Sequence, residues 1–151
     1  MPFTLSPASD SDFLDLMRVF WISFEDPYQG FLRAVAPIKN NDRETSLVEF
    51  AAAQLKEYKS DPEMTWLKVV DSETGNIVGG AKWLLHRSNP FANPPEEPFQ
   101  ATWYPEGPGR EFVTQAVLGV LMPRMRRAQR PHACVFFIFS FGFFVLVFWG
   151  Y

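Results

Sequence analysis

Residues 65–85 read TWLKVVDSETGNIVGGAKWLL, and this stretch decides the fold. Thr65 to Asp71 is rich in strand formers. Ser72 to Asn76 is a turn in which Gly75 is suited to positive φ, and Ile77 to Leu85 is the return strand. The pattern predicts a β-hairpin. Gly79 and Gly80 lie inside the second strand, where glycine marks a bulge or a close backbone approach.

Upstream of the hairpin the periodicity changes from two to 3.6. Phe3 to Leu5 predicts a short first strand, and Ser9 or Ser11 is placed to cap a helix. Phe13, Met17, Phe20 and Phe24 then recur at helical spacing, with Leu14 and Trp21 beside them, until Pro27 stops the run. Phe31 to Ile38 predicts a second, shorter helix. Asn41 or Asp42 caps a third, in which Leu47, Phe50, Ala51, Leu55 and Tyr58 share one face while Glu44, Glu49, Lys56 and Lys59 face water. Asp61-Pro62 ends it.

Downstream, Ser88 to Gly109 is a long connection with six of the 13 prolines. Such a loop is either a binding flap or a tethered surface segment. Glu111 to Met122 predicts a fourth helix, closed by Pro123. Glu106-Gly107-Pro108-Gly109-Arg110, just before it, offers a glycine loop and an Arg at a helix N-terminus, which suits an anion. Pro108 removes one N–H donor there, and the plainer reading is that two glycines turn the chain.

The bulk composition excludes several classes. The chain has 151 residues and a net charge of −3, with no basic field for nucleic acid. One cysteine, Cys134, excludes an internal disulfide, and with only His86 and His132 it leaves no metal cluster at a recognisable spacing. The N-terminus lacks the pattern of a secretory signal, so the expectation for residues 1–132 is a cytoplasmic, reduced setting.

The end of the sequence differs. Cys134 to Tyr151, CVFFIFSFGFFVLVFWGY, holds nine of the 25 aromatic residues and no charge. It has three readings. Ala133 to Tyr151 is 19 uncharged residues, or roughly 28 Å as a helix, near the thickness of a bilayer core. Arg124, Arg126, Arg127 and Arg130 precede it, and Trp149 and Tyr151 sit at its far end, the pattern of a transmembrane anchor. Alternatively it is a buried strand or strand pair that needs cover on both faces. Third, its residues are those of T-rich codons, as a pyrimidine-rich intron gives when read through.

Four stretches in order, FWISFEDPYQGFLRA (20–34), WLKVVDSETGNIVGGAKW (66–83), NPFANPPEEP (89–98) and WYPEGPGREF (103–112), resemble a eukaryotic branch of the GNAT superfamily of N-acetyltransferases. The resemblance covers residues 1–132, the N-terminal half of the family's fold. It implies an α/β fold, here an incomplete, mixed and mostly antiparallel sheet with flanking helices, followed by a hydrophobic segment at 133–151. It implies transfer of an acetyl group from the cofactor acetyl-CoA to a small-molecule or protein amine. It places Glu25, Asp26 and Tyr28, after the first helix, on the substrate side, where acidic residues attract a cationic amine; a solvated helix end is the alternative. The family's pantetheine strand, its Arg/Gln-x-x-Gly-x-Gly/Ala pyrophosphate loop and its acid–base groups follow the position of His132. Neither Gly142 nor Gly150 has an Arg or Gln at that spacing, so the resemblance carries over no cofactor-binding, catalytic or metal residue. The expectation is a truncated, inactive acetyltransferase domain. The alternatives are a tail-anchored membrane protein with a cytosolic binding module and a fragment completed by a partner chain.

Overall fold

Alternation along the central hairpin sorts its residues onto two faces. In the computed structural model, which describes residues 2–25, 30–93, 97–140 and 143–145, β2 is Met64–Asp71 and β3 is Ile77–His86. They pair antiparallel with Met64 opposite Leu84 and Trp66 opposite Lys82. These four residues are buried, whereas Thr65, Trp83 and Leu85 on the alternate face are exposed. Gly75 closes the turn at φ +73°, as its place in SETGN predicts. The register shifts between Val69 and Val70, so that Val69 faces Gly79 and Val70 faces Ile77. This is the irregularity that the paired glycines forecast.

β1, Phe3–Pro7, pairs antiparallel with β2, with Leu5 opposite Val69. A 3-10 turn, Asp10–Asp12, leads into α1, Phe13–Glu25. Asp12 accepts hydrogen bonds from the backbone N–H and the hydroxyl of Ser9, at 2.6 and 2.7 Å, which fixes the entry to the helix. α2 is Gly30–Val35, shorter than its apolar run. Asn40 and Asn41 then adopt positive φ, 54° and 57°, and turn the chain. Asp42 caps α3, Arg43–Ser60, by accepting from the Thr45 N–H at 3.0 Å.

Phe13, Met17, Phe20 and Phe24 of α1 are buried, and so is Trp21, whose ring meets Phe50 of α3. Leu47 and Ala51 of α3 join this core, and Phe50, Leu55 and Tyr58 pack against it, so the predicted apolar face of α3 is the buried one. The fold is α/β, with a five-stranded sheet in the order β1-β2-β3-β4-β5 and flanking helices. The pairs β1–β2, β2–β3 and β4–β5 are antiparallel.

The described part of the hydrophobic end of the chain is strand. His132–Ser140 is β4, and Phe143–Val145 is β5, paired antiparallel to it. No helix among the described residues is long and apolar enough to cross a membrane. The strand-pair reading fits these residues, and the face of Phe139 has the cover it needs. That residue is 2% exposed and packs edge-on against Phe20 of α1 at 5.4 Å between ring centroids. Residues 141–142 and 146–151, including Gly142, Trp149 and Tyr151, lie outside the described residues.

The chain divides into two compact units. One is built from the described residues up to Leu85 and from Ala133 onward, the other from His86–His132. The second unit contains α4, Pro108–Arg127. Pro123 lies inside this helix and does not close it. Proline forfeits one N–H bond, and the helix tolerates that loss close to its end and runs on to Arg127.

Gly79 and Gly80 serve a close approach as well as a bulge. A Cβ at Gly79 would lie 2.9 Å from the Phe139 carbonyl oxygen of β4, and one at Gly80 would lie 2.7 Å from Leu16 Cδ2 and 2.9 Å from Phe139 Cζ. Gly79→Ala and Gly80→Ala are each expected to lower stability by about 1–3 kcal/mol through overpacking. An unchanged urea midpoint for Gly79→Ala would mean that β3 and β4 are not so close.

Candidate functional site

The first unit carries a groove of about 1230 Å3 between α1 and the β2–β3 hairpin, bounded at one end by Phe139 and Ser140. α1 supplies Val19 and Ile22 to its wall, and the hairpin supplies Leu67, Val69 and Ile77. Its charged groups are Asp12, Asp15, Arg18, Lys68 and Asp71. The mix of apolar walls and a few charged groups suits a small polar ligand with an apolar part.

Most of those charges are held in place. Lys68 Nζ donates to Asp12 at 2.7 Å, with both side chains largely buried. Burial works to raise the Asp12 pKa, but hydrogen bonds from Lys68 and Ser9 outweigh it and keep the carboxyl below its ordinary range. Arg18 bridges Glu44 at 2.8 Å and Asp15 at 3.5 Å. Asp12 is therefore an ionised anchor and not a proton-transfer group poised near neutrality.

Of the residues expected on the substrate side, Glu25 ends α1 and is gripped by Arg43, whose Nε and Nη2 donate to its two carboxylate oxygens at 2.8 and 2.6 Å. The Arg43 guanidinium also lies over the Trp21 ring, 5.4 Å from its centroid. The hydrogen bonds to Glu25 raise the Arg43 pKa above its ordinary value. This pair ties the end of α1 to the start of α3, and a cationic amine would compete with Arg43 for Glu25. Asp26, Pro27 and Tyr28 lie outside the described residues.

A polar contact that the sequence did not single out lies under the sheet. Lys82 is 4% exposed, and its Nζ donates to Glu57 of α3 at 2.7 Å. The ammonium also sits 5.9 Å from the Trp66 ring centroid. Burial pushes the Lys82 pKa below its usual value, and Glu57, chief among the neighbouring groups, pulls it back up. The available signal was its position: Lys82 alternates with Gly80 and Leu84 on the buried face of β3.

The second unit holds both histidines, which the sequence left without partners. Their ring centroids are 4.9 Å apart. Arg124 Nη2 lies 2.9 Å from His86 Nε2, and since arginine only donates, that nitrogen accepts. His132 Nδ1 lies 2.7 Å from the Arg130 carbonyl oxygen and so donates to it. The Arg124 charge beside this pair opposes a cation. The long connection is tied to α4 through Asn89 with Gln129, and through the Ala101 N–H with Thr114 Oγ1.

The loop at residues 106–110 does not form an anion cradle. Gly107 caps α4 at φ +131°, and Pro108 follows as a helix residue without an N–H. Arg110 turns back, donating to the Tyr104 carbonyl oxygen at 2.7 Å and pairing with Glu106 at 3.7 Å. These residues do not fit a pyrophosphate group.

Neither a family model nor a curated sequence relative matches this chain. Among solved structures it is similar to the crystal structure of the ribosomal-protein-S5-alanine acetyltransferase from Vibrio fischeri. The identity is 17%, over 87% of this chain and 68% of that one, with a TM-score of 0.38.

Proposed function

We propose that this chain carries the amine-side framework of a GNAT-type N-acetyltransferase, and that its 151 residues alone do not bind acetyl-CoA. The observation that supports the framework is the order of elements. The chain runs β1, a helix pair, α3 and then the β2–β3 hairpin, with β1, β2 and β3 antiparallel. That is the order of strand, helix pair, third helix and hairpin that the sequence predicts. The groove beside α1 supports an amine acceptor, since Asp12, Asp15 and Asp71 outnumber Arg18 and Lys68 along it.

Two things support the lack of cofactor binding. The Arg/Gln-x-x-Gly-x-Gly/Ala pattern does not occur in the 151 residues. The glycine loop ahead of α4 turns its arginine onto Tyr104 and Glu106. Acetyl transfer needs an acid–base group and a bound donor, and none of the groove's ion-paired carboxylates suits the first role.

Calorimetric titration of the full chain with acetyl-CoA is expected to give no saturable heat tighter than about 100 μM. Micromolar binding would overturn the cofactor part of this reading. The framework has a separate check in the NMR contacts between Leu5 and Val69 and between Met64 and Leu84. Their absence would overturn the fold on which the reading depends.

A further inference from the structure

α4 has an unusual outer face. Its exposed residues recur in pairs at helical spacing, running Glu111-Phe112, Gln115-Ala116, Gly119-Val120, Met122-Pro123 and Arg126-Arg127. A surface helix ordinarily turns charged residues to water. Here the middle of the stripe is uncharged, and Phe112, Val120 and Met122 are 73%, 41% and 39% exposed. The only charges on the stripe stand at its two ends, negative at Glu111 and positive at Arg126 and Arg127.

That arrangement is complementary to itself. Glu111 and Arg127 each lie eight residues from Gly119, about 12 Å along the axis. We propose that α4 is a homodimer interface in which two copies pack antiparallel about a twofold axis at Gly119. Rotation about that axis brings Glu111 to the partner subunit's Arg127, and Phe112 to the partner subunit's Arg126. The first is an ion pair and the second sets a guanidinium over an aromatic ring. Ala116 meets the partner's Met122, a small residue against a long one. At the axis a Cβ on Gly119 would meet nothing of its own chain within 4 Å, so the two backbones can approach closely there. An isologous contact requires such reciprocity, with each residue's partner present on the same helix. A parallel pairing would set like charges against each other.

A single helix stripe is smaller than a standard stable interface, so the dimer is weaker than about 1 μM and depends on concentration. Sedimentation velocity of the full chain over a concentration series reads it directly. The wild-type chain is expected to show a monomer–dimer equilibrium that weakens in high salt. Gly119→Glu sets two carboxylates at the axis and is expected to raise the dissociation constant at least about tenfold. Arg127→Glu does the same, and Glu111→Arg combined with Arg127→Glu restores it to within about threefold. These sites are exposed, and an unchanged circular dichroism spectrum shows that the variants remain folded.

A chain that stays monomeric at every concentration overturns the proposal. So does a dimer that Gly119→Glu leaves intact, which would point to another surface, such as the exposed Phe3, Leu5, Trp83 and Leu85 of the sheet. Failure of the charge swap to rescue overturns the antiparallel geometry. Sedimentation with phosphatidylserine vesicles is the second arm. A monomeric chain that binds them, and loses that binding in Arg126→Glu/Arg127→Glu, would identify an anionic membrane as the occupant instead.

Discussion

Phe20→Ala is expected to lower the unfolding free energy by about 3–5 kcal/mol. Phe20 is 1% exposed and touches Phe24, Phe50 and Phe139 at centroid distances of 4.7, 5.7 and 5.4 Å. It therefore joins α1, α3 and β4, and its removal opens a cavity where three elements meet. A small domain has about 5–15 kcal/mol in total, so this loss is a large fraction of it. Urea unfolding followed by tryptophan fluorescence measures the effect. A conservative control is Phe20→Leu, expected to cost less because it leaves a smaller void. A loss below 1 kcal/mol in Phe20→Ala would mean that β4 does not pack on α1, and the assignment of Phe139 to the core would fail with it.

The second large effect concerns Lys82. Glu57→Leu is expected to destabilise the fold by about 2–3 kcal/mol, because it removes the carboxylate that compensates a buried ammonium. Lys82→Met is expected to be close to neutral or stabilising, since its thioether suits the Trp66 surface and no charge is left to desolvate. In the double variant most of the Glu57→Leu loss should disappear. Equal losses for the two single variants would mean that the ion pair itself is the source of stability.

Lys82 also predicts a pH dependence of definite sign. Burial lowers its folded-state pKa below the value of 10.5 it has in the unfolded chain. Below the folded pKa both states are protonated, and the cost of burying the charge is fully present. Between the folded pKa and 10.5 the unfolded chain binds more protons, so the contribution of Lys82 to stability rises with pH across that window. Comparing wild type with Lys82→Met isolates it from the other titrating groups. The stability of wild type relative to Lys82→Met should rise as pH approaches 10.5, and a difference independent of pH would overturn the burial of the charge.

Asp71 through Ile77 could be read from the sequence because their conformation is local. A turn that needs positive φ at one residue names glycine, and Gly75 adopts it. The buried sides of α1 and α3 were legible for a similar reason: 3.6-residue spacing leaves Phe13, Met17 and Phe20 no other common face. The cap at Asp42 follows from the unpaired N–H groups of a first helical turn. The candidate site was much less legible. Glu25 was singled out, but its two hydrogen bonds to Arg43 join residues 18 apart in the chain. The Asp12–Lys68 pair spans 56 residues, and no spacing rule connects them.

The end of the chain marks the boundary between the two kinds of information. Composition alone determined that Cys134 to Tyr151 is apolar and uncharged, and hence that it avoids water. It did not determine whether a bilayer or a protein core supplies the shelter, because the hydrophobic effect has no direction. The tertiary structure decided that for Cys134, Val135 and Phe139, which are buried in the protein. β3 offers a neighbouring strand with two glycines at the point of closest approach, and α1 offers Phe20 to Phe139. Likewise, the sequence placed apolar residues all along α4, while only the folded unit decided that Phe112, Val120 and Met122 are the ones left outside. Burial is settled by which surfaces meet, and that is a property of the whole fold.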